Sequence, residues 1–168
     1  MNNQERELIE NHMFKSITKE KLLKGFNVEI ELMPKYFNEL LHVAYNEKNA
    51  DDLELLIHLG FVFESFLKDS VDILCKLLEE TWHIQHENIA SAFQWLESPG
   101  AIESLYKAAL TRFEYLDYDE AFALAVKCIW ALWAINTPES HKKLELLSRV
   151  DNEIIRECAQ ERLADKKS

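Results

Sequence analysis

His83, His86 and Glu87, within the run WHIQHE, form the sharpest apparent chemical site in the sequence. Residues three apart on a helix share a face, and two imidazoles with a carboxylate can bind zinc. The order here is H-x-x-H-E. It is neither H-E-x-x-H nor its inverse, in which a Glu sits between two ligands as a base, and no third ligand is indicated elsewhere. The reading is therefore that His83 and His86 make local hydrogen bonds at a helix start, with Trp82 buried beside them. No metal and no other cofactor is expected. Nucleophilic catalysis has less behind it. The chain has no G-x-S-x-G, no phosphate-cradling loop, only three glycines, and no Cys with a His at a suggestive spacing. The expectation is a protein that is not an enzyme.

The second group worth weighing is the run FEYLDYDEAF, from Phe113 to Phe122. It holds Glu114, Asp117, Asp119 and Glu120 with Tyr115 and Tyr118 among them, and no base. Asp119 is placed to cap the helix that follows, and Glu120 then sits in its first turn, where negative charge is favourable. Tyr115 and Leu116 are expected to pack under the joint. Glu114, Asp117 and Tyr118 have no such duty and are left for a partner. In a stack of helix pairs the second helix of each pair lines the inner face, and its acids here are Asp72, Glu79, Glu80 and Glu103. Asp72, Glu79, Glu80, Glu103, Glu114, Asp117 and Tyr118 thus form the candidate partner-binding set. Charge would set rate and orientation, and an aromatic anchor would supply affinity.

The elements that must position these residues are helices. Three Gly and three Pro in 168 residues argue against an all-β protein, which needs turn residues every few positions. Apolar residues recur at three and four. Leu8, Ile9, Met13 and Ile17 suggest a first helix, and Pro34 opens a second with Tyr36, Phe37, Leu40, Leu41 and Tyr45 on its buried side. From Ala50 the segments pair: about 51–65 with 69–80, about 84–97 with 99–113, and about 119–136 with 138–148. A last helix covers about 151–164. Asp51, Asp69 and Asp151 are expected caps. Ser98-Pro99 with Leu105 and Thr137-Pro138 with Leu144 repeat one pattern, [ST]-P-x5-L, at an offset of 39 residues. Helix pairs starting near 51, 86, 119 and 151 recur as a repeat protein requires, because only a neighbour can cover the apolar side of each pair. The reading is all-α, about eight or nine helices, in one domain over 1–168. Residues 1–48 form N-terminal capping helices and 50–165 the pairs.

The net charge of −11 is unevenly spread. Glu29–Glu120 carries nineteen acids against six bases, while the rest carries eleven against thirteen. An acidic middle repels nucleic-acid phosphates and attracts basic proteins. Trp130 and Trp133 read as core, and Trp95 as partly exposed. Lys127 is the one charge in the apolar run Ala121–Ile135, so it must snorkel or meet an acid, and Glu114, Asp117 and Glu120 are the nearest in sequence. That run is too short for a bilayer, and the polar start MNNQERELIENHMF has no signal-peptide core. Cys75, Cys128 and Cys158 lack metal spacing and read as buried reduced thiols. The expected location is the cytoplasm.

DNEIIRECAQERL, Asp151–Leu163, resembles the HEAT pattern D-x-x-[VI]-R-x-x-A through Ile155-Arg156 and Ala159, with Ile154 as an extra apolar residue. WHIQHENIASAF, ESLYKAAL and FEYLDYDEAFALAVKCIWALWAINTP resemble small bacterial HEAT-repeat proteins, over roughly residues 30 to 165. That group is associated with immunity proteins of polymorphic and contact-dependent toxin systems. The resemblance, not the periodicity, implies a short right-handed α-solenoid and a role in neutralising a cognate toxin domain by occluding its active site. Family habit and the acidic surface together imply a basic nuclease toxin, best a ribonuclease, bound one-to-one by a protein that is a monomer alone. No direct nucleic-acid or membrane partner is expected. Two alternatives stand beside this: a general HEAT-like scaffold without a toxin, and an enzyme using His83, His86 and Glu87.

Overall fold

The computed structural model describes residues 1–165, so the last three residues of the expected domain lie outside the described ones. All regular structure among the described residues is helical. The ten α-helices are α1 Asn3–Met13, α2 Lys19–Gly25, α3 Met33–Glu47, α4 Ala50–Val62, α5 Val71–Leu77, α6 His86–Leu96, α7 Ile102–Leu110, α8 Ala123–Ile135, α9 Pro138–Leu147 and α10 Glu153–Ala164. The count exceeds the expected eight or nine. The added element is α2, a single seven-residue piece capped by Thr18 that buries only Leu22, too short to announce itself by periodicity. Ile17, expected on the first helix, falls in the loop before α2.

The chain forms two compact units, Met1–Ile73 and a second from Leu74 onward. In the first, α3 packs on α4 and on the 3-10 segment Glu64–Ser70, and α1 packs on α4 and α2. Phe37, Leu41, Leu53, Leu56, Leu59 and Leu67 are its fully buried centre, each worth about 1.5–3 kcal/mol on burial. Gly60 lets the 3-10 segment approach: a Cβ there would lie 2.7 Å from Leu67 Cδ2. Polar contacts fasten α1. Tyr36 donates to Glu5 at 2.6 Å, Arg6 meets the buried Asp52 at 2.6 Å, and His12 Nδ1 lies 3.1 Å from His58 Nε2.

In the second unit, α8 lies against α6, α7, α9 and α10. This explains why Ala121–Ile135 is apolar nearly all round: a helix covered by four neighbours has little solvent face. Leu105 and Leu144, the matched ends of the [ST]-P-x5-L pattern, are both fully buried. Their joints differ. Thr137 forms a capping box with Ser140, whereas Ser98 makes no cap bond and Pro99–Ala101 is a 3-10 turn before α7.

Several expected caps are displaced by a residue or two. Asn49 caps α4 in place of Asp51, and Asn152 caps α10 in place of Asp151. Asp69 caps nothing, because the 3-10 segment runs directly into α5. The helix expected from 119 begins at Ala123, with Phe122 in the left-handed region at φ 52°. Ile155 and Ala159 of the HEAT-like pattern face inward, Arg156 donates to the Val150 and Asp151 carbonyls, and the extra Ile154 is exposed.

Candidate functional site

The WHIQHE residues sit where α6 begins, and their ring nitrogens are occupied by the chain itself. The Gln85 N–H donates to His83 Nδ1 at 3.1 Å, so Nε2 carries the proton and donates to the Leu77 carbonyl at 2.9 Å. His86 Nε2 faces the Glu80 carbonyl at 2.7 Å and must donate. Its Nδ1 therefore accepts from the Tyr115 hydroxyl at 3.0 Å. The two imidazoles stack with centroids 4.3 Å apart, and His86 also packs on Phe113 at 3.8 Å. Burial, with the neighbouring His86 second, pushes His83 down to about 4, and burial lowers His86 as well. Burial and then the Glu87 carboxylate push Tyr115 up to about 12. Neutral, buried and doubly bonded imidazoles are a structural post: they pin the 80–86 turn to the joint after α7. Trp82 is only half-buried beside them, with Nε1 enclosed and without a hydrogen-bond partner among the described residues. Glu87 points elsewhere, to Lys127 at 2.9 Å. This corrects the expected link of Lys127 to the acids at 114, 117 and 120. No group of three metal-ligating side chains is assembled among the described residues.

The candidate acids fall into three places. Asp72 is exposed on α5, in the first unit. Glu79 and Glu80 were expected on an inner helix, but α5 ends at Leu77 and both lie in the turn beyond it. Glu79 meets Lys107 at 3.3 Å, and Glu103 on α7 meets Lys143 of α9 at 2.6 Å. The Lys143 hydrogen bond, with charge from Lys143 and Lys107, lowers the Glu103 carboxyl below its ordinary value. Glu79, Lys107, Glu103 and Lys143 are thus a ladder of alternating sign, not a purely acidic strip. The third place is the joint after α7, where Glu114, Asp117 and Tyr118 come together. Tyr118 is 82% exposed, with Phe14 the most exposed of the large hydrophobic side chains among the described residues.

Arg112 organises this joint, and sequence spacing did not single it out. Its guanidinium donates to the Asp117 carbonyl at 3.0 Å and to Asp117 Oδ1 at 3.3 Å, and lies 5.3 Å over the Phe122 ring. The Ala121 and Ala123 N–H groups donate to the two Asp119 oxygens at 3.0 and 2.7 Å. Asp119 thus braces the turn before α8, but the N-cap position is Phe122, which makes no side-chain cap bond, and Glu120 falls before the helix and not in its first turn. Tyr115 and Leu116 are half-buried under the joint, as their expected packing requires. On one side of the joint an open cleft of about 680 Å³ is walled by Trp82, Ile84, Arg112, Glu114 and Tyr115. A second, largely apolar pocket of about 230 Å³, also partly open, shares Arg112 and Phe113 with it and lies among the ends of α7, α8 and α10.

The tryptophans divide differently from expectation. Trp95 is partly exposed as read, but Trp130 is also 39% exposed. Arg162 covers it, with its guanidinium 4.0 Å over the Trp130 ring and 5.8 Å from Trp133. Of the thiols, Cys128 is buried, whereas Cys75 and Cys158 are half-buried. No helix among the described residues is long and apolar enough to cross a membrane.

Among the described residues the protein is all-helical, and one of its exposed features is an acidic, tyrosine-bearing helix joint. No family model, curated protein or solved structure matches the chain.

Proposed function

We propose that this protein is a binder rather than a catalyst: an immunity protein that neutralises a cognate bacterial toxin domain in the cytoplasm. Its helices from Ala50 onward are read as HEAT-like pairs in a short right-handed solenoid, with residues 1–48 as a cap. The toxin is a basic nuclease, best a ribonuclease, held one-to-one with its substrate groove covered. The observation that carries this reading is the joint: Glu114 and Asp117 exposed beside a Tyr118 that is 82% solvent-accessible. Tyr is a residue type enriched at interface hot spots, and flanking carboxylates steer a basic partner toward it.

The ion pairs at Glu79, Glu103 and Asp117 are compatible with it. All three carboxylates are at least about half exposed, and such pairs contribute roughly 0–1 kcal/mol. A cationic groove can therefore exchange with Lys107, Lys143 and Arg112 at small cost. The occupied nitrogens of His83 and His86 weigh against the metal-enzyme alternative. The scaffold alternative draws on the partly exposed Trp95 and Trp130.

Co-expression with the C-terminal domain encoded by the upstream open reading frame tests the proposal. Cell survival and a co-purifying one-to-one complex are expected. Killing despite this protein, or a harmless neighbour, would remove the immunity reading. Several weak partners in place of one tight one would favour the scaffold.

A further inference from the structure

The pocket of about 230 Å³ beside the joint is partly open to solvent and has room for a ring. An apolar cavity of about 150 Å³ already takes up benzene. Its walls include Ala109 from α7, Phe113 and Leu116 from the joint, Phe122 and Ala125 from the start of α8, and Ile155 from α10. Two alanines among them leave the room, and two phenylalanine rings offer faces and edges to a third ring. Phe122 sits on the wall in the left-handed region, φ 52°, a conformation that is a genuine outlier for a bulky residue.

The joint beside the pocket is acidic. Glu114, Asp117 and Glu120 are exposed on it, Glu114 in the wall of the neighbouring cleft, and Asp119 is the one carboxylate in the pocket's own lining. The one cation in the lining, Arg112, forms an exposed, exchangeable pair with Asp117. An apolar pocket beside an acidic joint complements an aromatic side chain flanked by Lys or Arg.

We propose that this cavity receives one aromatic side chain presented by a basic segment of the protein partner. The occupant rests on the immunity reading above; the cavity's capacity for a ring does not. Charged neighbours on the partner engage Glu114 and Asp117, and Tyr118 closes over the entering segment. The arrangement turns a charge-steered encounter into a slow-dissociating complex, because buried anchors act mainly on the off-rate.

Two measurements decide the proposal. The first uses the protein alone: p-cresol and indole titrated into methyl-labelled protein, observed by NMR. Shifts are expected at Leu110, Leu116, Leu124, Val150 and Ile155, and are expected to vanish in Ala125→Leu or Ala109→Leu, whichever melts no lower than the wild type. No shifts, or the same shifts in a filled, folded variant, would overturn it. The second compares affinity for the upstream-encoded domain. The filled variant is expected to bind at least about tenfold more weakly. Equal affinity would overturn the anchor while leaving immunity intact. A wild-type protein that does not bind that domain removes the immunity reading, and the basic partner with it, while the ring titration still decides the cavity.

Discussion

Lys127 Nζ on α8 lies 2.9 Å from Glu87 Oε2 on α6, across forty residues of sequence. It is the only charge in the apolar run Ala121–Ile135, and Glu87 sits in the first turn of its helix, where the dipole already favours a carboxylate. Both side chains are about one-third exposed, so the pair is neither a surface decoration nor a dry buried bridge. Lys127→Met should lower stability by about 1–2 kcal/mol, since it strands Glu87 in a half-buried place. Lys127→Met with Glu87→Gln should recover part of the loss. A double-mutant cycle by urea denaturation checks this; additive effects would mean the two residues do not interact.

The stacked pair His83–His86 predicts a pH dependence. Burial holds His83 at about 4 against an ordinary 6.5, and lowers His86 and, in the first unit, His58. Below pH 6.5 the unfolded chain binds protons that the folded one refuses. Stability therefore falls as pH drops from about 6.5 toward 4, by up to about 1.4 kcal/mol per pH unit for His83, with His86 and His58 acting in the same direction. Urea midpoints at pH 7.5, 6 and 5 should decline, and His83→Gln should flatten the slope. A stability constant from pH 7.5 to 5 would contradict the burial of these rings as neutral groups.

α3 ends on Lys48 in the left-handed region, φ 50°. A side chain there costs about 1 kcal/mol that glycine avoids. Lys48→Gly should therefore raise stability by about 0.5–1 kcal/mol, although most glycine substitutions do the reverse. A lowered melting temperature would show that the Lys48 side chain holds the α3–α4 turn.

Periodicity and composition were enough to reach the helical class and the centres of the longer helices, because burial repeats every three or four residues in them. Leu105 and Leu144, Phe37 and Leu41 all turned inward as read. Helix starts were less legible. Asn49 and Asn152 each stood one or two places from an Asp of equal capping ability, and only backbone geometry chooses between them. At the late start of α8, Phe122 is left-handed and its ring lies under Arg112, a contact between residues ten apart that no local pattern encodes. For the same reason the acids could be named but not their partners. Lys107, Lys143 and Arg112 reach Glu79, Glu103 and Asp117 through tertiary placement. Lys127 found Glu87 rather than the acids nearest in sequence.

The central claim is that the joint after α7 binds a toxin. The most direct test is calorimetric titration of the upstream-encoded domain into the wild type and into Glu114→Lys/Asp117→Lys/Tyr118→Ala. The account predicts a tight one-to-one complex that the triple variant weakens by about a hundredfold or more, with unchanged melting of the variant alone. A variant that binds as tightly as the wild type, or a wild type that does not bind, would contradict it.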